Sequence, residues 1–118
     1  MQDPKAGMQG NGWCYDTLTQ YRRTAAAWLR QAAGGFDGDA QRQLLAAADE
    51  YAKVADVCLK DLKGPWDLAL PPNRFDAWTS ALRQDQIRRL EAARDHDHAA
   101  VAAIEKSLAA IAARTGQK

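Results

Sequence analysis

Apolar residues recur at alternating steps of four and three over two stretches of this chain, a spacing that only an amphipathic helix satisfies. In a first segment, from about Gly12 to Ala33, they fall at Cys14, Leu18, Tyr21, Ala25, Trp28 and Ala32, with Tyr15 and Leu29 widening the stripe. In a second, from about Ala40 to Lys63, they fall at Leu44, Ala48, Tyr51, Ala55, Cys58 and Leu62, flanked by Leu45, Ala52 and Leu59. Gly34-Gly35 ends the first segment and Gly64-Pro65 the second. Alanine makes up about a fifth of the 118 residues, which favours helix over strand. The fold class is therefore all-α.

The link Phe36-Asp37-Gly38-Asp39 is short, so the two helices form an antiparallel hairpin, with Asp37 or Asp39 capping the second. Residues at one height then carry numbers summing to about 72. Tyr21 meets Tyr51, Trp28 meets Leu44, and Cys14 meets Cys58. Residues 64–73 hold three prolines and form neither helix nor strand. Their Trp66, Leu68 and Leu70 are expected to wrap across a bundle end, and Asn73 to cap the third segment.

From Phe75 to about Arg114 there is no Gly or Pro. One helix of that length would reach about 60 Å. Phe75, Trp78 and Leu82 share one stripe. Ile87, Leu90, Val101, Ile104, Leu108 and Ile111 share another, interrupted at Arg94 and Asp97. A long or kinked helix and a pair broken near 83–86 or 94–98 both fit, and the lack of Gly or Pro favours continuity through 94–98. The expectation is an up-and-down bundle of three or four helices over residues 12–114, with a flexible lead at 1–11 and a flexible tail at 115–118. A continuous third helix would outrun the hairpin, so its Val101–Ile111 stripe would need cover. A second copy is the simplest source, which makes a homodimer through the C-terminal helix the expected partner.

The formal charge is +1, from 16 Lys and Arg against 15 Asp and Glu. No global field draws in nucleic acid or an anionic membrane. Arg83, Arg88, Arg89 and Arg94 are offset by Asp85, Glu91, Asp95 and Asp97, giving a mixed-charge solvent face and no expected nucleic-acid partner. No apolar run approaches a membrane span and no secretory leader is legible, so a cytoplasmic location is expected. Cys14 and Cys58 read as two small buried hydrophobes facing each other, with a redox pair as the sharper alternative.

Complete catalytic constellations are absent from the sequence. There is no phosphate-binding Gly loop, no Gly-x-Ser-x-Gly, and only two Ser and two His. His96 and His98 point apart on a helix, so no metal or other cofactor is expected. Arg89 and His96, with six residues between, resemble the signature of the higher-eukaryote-and-prokaryote nucleotide-binding family of small helical toxin ribonucleases. There the Arg stabilises charge and the His moves a proton. Trp13, Tyr15, Trp66, Phe75 and Trp78 gather at one end of the hairpin. They either cap the core or line a site for a small apolar or cationic ligand.

Three stretches carry a further resemblance: Gly12-Trp13-Cys14-Tyr15 through Leu29, Ala-Ala-Ala-Asp-Glu-Tyr at 46–51, and Ile-Arg-Arg-Leu-Glu-Ala-Ala at 87–93. Their order and aromatic placement resemble the helical C-terminal part of bacterial papain-like and butirosin-type acyltransferase proteins. The resemblance implies an accessory bundle whose catalytic Cys and His would lie in a domain this chain does not contain. The function expected is a non-catalytic binding or assembly bundle. The alternatives are a small-molecule binder using the aromatic end and a ribonuclease using Arg89 and His96.

Overall fold

A computed structural model describes residues 4–62 and 79–116, which form three helices: α1 (Pro4–Ala33), α2 (Gly38–Leu59) and α3 (Ser80–Gly116). The fold is all-α and its helices run up, down and up. Pro4 opens α1, as suits a residue with no amide hydrogen to leave unpaired. The helix thus begins ahead of Gly12 and takes in much of the stretch expected to be a loose lead. The turn after α1 is closed by Gly34, Gly35 and Phe36 amides donating to the carbonyls of Gln31, Ala32 and Ala33. Asp37 is the N-cap of α2 by backbone, although its side chain makes no capping bond. The Asp37 carboxylate instead pairs with Arg114 near the end of α3.

The third segment is one helix of 37 residues, unbroken at 83–86 and at 94–98. Thr79 caps it, its Oγ1 accepting from the Leu82 amide at 3.2 Å. That start lies downstream of the Asn73 and Phe75 boundary expected from the sequence, and both of those residues fall outside the described ones.

The central helix is α2, which packs against α1 on one side and α3 on the other. Of its buried positions, Leu44, Ala48, Ala55 and Cys58 lie on the stripe legible in the sequence, whereas Ala40, Ala47 and Val54 form a second line beside it and the expected flanking Leu45 is exposed. On α1 the buried positions are Tyr15, Thr19, Ala26, Leu29 and Ala33. This is the expected stripe displaced by one residue, about a quarter turn. Cys14, Tyr21 and Trp28 are exposed as a result, and the expected facing of Tyr21 with Tyr51 and Trp28 with Leu44 is not that of buried core pairs. On α3 the buried positions are Gln86, Ala93, Ala100, Ala103 and Ser107. They too lie beside the larger residues Ile87, Leu90, Val101 and Leu108, which stay exposed.

Size explains both displacements. Helices approach to about 8 Å only where the side chains between them are small. Along this bundle Ala26, Ala33, Ala47, Ala48, Ala100 and Ala103 occupy the seam, with Leu29 and Leu44 among them. A second cluster, of Tyr15, Val54, Cys58 and Ala93, fills the other end. Ser107 fits the same seam because its Oγ donates to the Ala40 carbonyl at 3.0 Å.

Close packing of this kind tolerates no added volume. Ala100→Leu is expected to lower the unfolding free energy by about 1–3 kcal/mol through overpacking. Ala102→Leu, two positions away and exposed, should move it by no more than about 0.5 kcal/mol. Urea midpoints of the two variants read the difference.

Candidate functional site

Two stripes with a seven-residue repeat run side by side on each outer helix. The inner stripe faces α2. The outer one comprises Cys14, Leu18, Tyr21, Ala25, Trp28 and Ala32 on α1, and Ile87, Leu90, Arg94, Asp97, Val101, Ile104, Leu108 and Ile111 on α3. Since α1 and α3 are parallel and flank the same helix, these outer stripes face one groove. Towards the α1–α2 turn the groove deepens into a hollow of about 290 Å³. Trp28, Ala32 and Phe36 form one wall, and Ile104, Leu108 and Ile111 the other. Only apolar atoms are presented there, since the Ser107 hydroxyl at its floor is already committed to Ala40.

Tyr21 is 67% exposed, Trp28 66% and Leu108 60%, with Val101, Ile87 and Leu90 each at 46%. A hollow with no free polar anchor cannot orient a polar small molecule. It suits aliphatic side chains delivered by a helix, as in helix-in-groove recognition.

A polar belt crosses the bundle at mid-height. Arg22 of α1 grips Asp97 of α3 with two bonds, Nε to Oδ1 at 2.8 Å and Nη2 to Oδ2 at 2.9 Å. The bond to Asp97 holds the Arg22 guanidinium above its ordinary pKa. Its guanidinium carbon also lies 5.9 Å from the centre of the Tyr51 ring on α2, so one side chain ties all three helices. Beside it, His96 Nδ1 lies 2.6 Å from Glu50 Oε2, and Lys53 donates to Glu50 Oε1 at 3.3 Å. These partners draw the Glu50 carboxyl below the usual carboxylate range, His96 most of all.

Arg89 serves a different end. Its Nη1 donates to the carbonyls of Lys60 at 2.9 Å and Cys58 at 3.1 Å, and Nε to Asp85 at 2.8 Å. The guanidinium thereby closes the C-terminus of α2, where a cation also complements the helix dipole. Arg89 and His96 do share a face, as their spacing requires. That face is turned towards α2, with Arg89 engaged by carbonyls and His96 by Glu50.

The expected aromatic end is divided by the structure. Tyr15 is buried, its hydroxyl donating to the Gln86 carbonyl at 3.4 Å, whereas Trp13 is exposed. Trp66, Phe75 and Trp78 lie outside the described residues. The two cysteines are free and do not share an environment. The hairpin register does bring Cys58 to the level of α1 expected for it, but Tyr15 occupies the facing position and Cys14 is turned to solvent. Burial pushes the Cys58 thiol up to about 11 and the Tyr15 hydroxyl up to about 12.

Among the described residues, no group of His, Cys, Asp and Glu is arranged to hold a metal ion, and no helix is long and apolar enough to cross a membrane. No family model, curated protein or solved structure matches the chain. Periodicity alone pairs Trp28 with Leu44 in a core and does not place Trp28 on a groove. A signal for the groove is nonetheless present: the apolar stripe keeps one phase on both sides of its interruption at Arg94 and Asp97, which marks a second face on α3.

Two outcomes test these environments. Glu50 is more acidic folded than unfolded, so its contribution is complete above the ordinary carboxylate value of about 4.3 and is lost as pH falls through its lowered folded value. Glu50→Gln is expected to cost about 1 kcal/mol near neutrality. It should match the unsubstituted chain once pH is low enough to protonate Glu50 in both states, as read by urea midpoints. With a thiol-reactive chromogen, Cys14 should label promptly in the native protein, and Cys58 only after denaturant unfolds it.

Proposed function

We propose that this chain is a non-catalytic assembly module that works in the cytoplasm as a homodimer, joined through the α1–α3 groove and above all through its C-terminal helix. The carrying observation is that the large apolar side chains Tyr21, Trp28, Val101 and Leu108 on the outer stripes are left in water. Two aromatic rings exposed to this extent leave on the order of 150 Å² each. With the aliphatic side chains beside them the face totals about 600 Å², the upper end of what monomers leave bare. A standard interface buries about 800 Å² per partner, and this face supplies most of that. The flanking Thr24 and Gln31 of α1 are uncharged and oppose no close approach.

The resemblance to the accessory bundle of acyltransferase proteins fits the same reading, for such a bundle contributes surface and no catalyst. The engagement of Arg89 and His96 within the bundle favours assembly over RNA cleavage. Sedimentation equilibrium tests the proposal. The chain is expected to be dimeric at about 10 μM, and Leu108→Glu to be monomeric with unchanged helical content, because a carboxylate would be desolvated at the interface. An unsubstituted chain that stays monomeric at ten times that concentration overturns it.

A further inference from the structure

The hollow and the side chains suited to fill it lie at opposite ends of the same stripe. The hollow, walled by Trp28, Phe36, Ile104, Leu108 and Ile111, sits near the C-terminal end of α3. Ile87 and Leu90, two aliphatic knobs each 46% exposed, stand near its N-terminal end, in line with Leu108 and Ile111. A site and its complement on one surface, separated along one axis, satisfy each other twice when a second copy is applied by a twofold rotation.

We infer that the homodimer is antiparallel, the Ile87 and Leu90 side chains of each copy filling the Trp28–Phe36–Leu108 hollow of the other. The inference rests on the self-association proposed above and adds its occupant and orientation. In this arrangement Leu90 meets the partner's Leu108, and Ile87 meets the partner's Ile111 and Phe36. The centre of the stripe gains charge complementarity. Arg94, whose carboxylate within one copy is that of its exposed neighbour Asp95, comes opposite the partner's Glu105 and reaches the face of the partner's Trp28. A parallel dimer would instead place Ile87 on Ile87 and Arg94 on Arg94. That leaves both hollows empty and sets like charges together.

Cross-linking decides the orientation. In a Cys14→Ser background, Leu90→Cys and Leu108→Cys are prepared separately, then mixed and oxidised with copper phenanthroline. The mixture should give disulfide-linked dimers, and either variant alone about tenfold less. Like positions would stand about 27 Å apart, far beyond disulfide reach. As a second readout, Arg94→Glu and Glu105→Arg should each weaken dimerisation about tenfold, and the double variant should restore it. Leu90→Cys cross-linking to itself as readily as to Leu108→Cys, or a double charge variant weaker than either single one, overturns the antiparallel arrangement while leaving a dimer in place. A monomeric unsubstituted chain overturns the underlying assembly proposal instead.

Discussion

The bundle depends on how closely α2 can approach its two neighbours. Alanine at Ala47, Ala48 and Ala55 of α2, against Ala26 and Ala33 of α1 and Ala100 and Ala103 of α3, brings the backbones together. Each such residue buries little area by itself and costs no side-chain entropy. The stabilisation comes from dense packing over a long seam, in which every added methylene is felt. The larger residues that flank this seam are forced outward, and that is why Trp28, Tyr21, Val101 and Leu108 stand in water.

The same constraint decides how much of the fold is legible in the sequence. The α2 stripe can be read directly, because its medium-sized residues Leu44 and Cys58 lie among its alanines and both are buried. The antiparallel hairpin and its register are also legible, through the length of the turn and the positions of Gly34 and Gly35. On α1 and α3 the larger residues draw a strong period that is not the packed one. Periodicity identifies which positions share a face. It does not identify which of two adjacent apolar faces is covered when one is small-sided and the other large-sided.

Polar residues within α3 pose a related difficulty. Arg89, His96 and Asp97 resemble interruptions or catalytic groups when read along one strand of sequence. Each proves to have a partner on another helix: the last carbonyls of α2, Glu50 and Arg22. The pairing joins residues up to 75 positions apart, a separation that local spacing cannot encode. The candidate groove is hidden for the same reason, since its two walls come from α1 and α3 and meet only once α2 has been set between them.

The belt formed by Arg22, Tyr51, Asp97, Glu50 and His96 also divides the molecule. Above it lies the alanine–leucine cluster next to the tight turn; below it lies the smaller group around Tyr15 and Cys58. Charged side chains bridge the two compartments where greasy ones would have fused them, so the two apolar clusters are separate and are joined through the belt's ion pairs. Thermal opening would begin in the lower compartment, which is nearest the long connection between α2 and α3, and could stop at the belt. The bundle would then breathe from one end, as a clothes-peg does, while the jaws around Trp28 and Leu108 keep their shape.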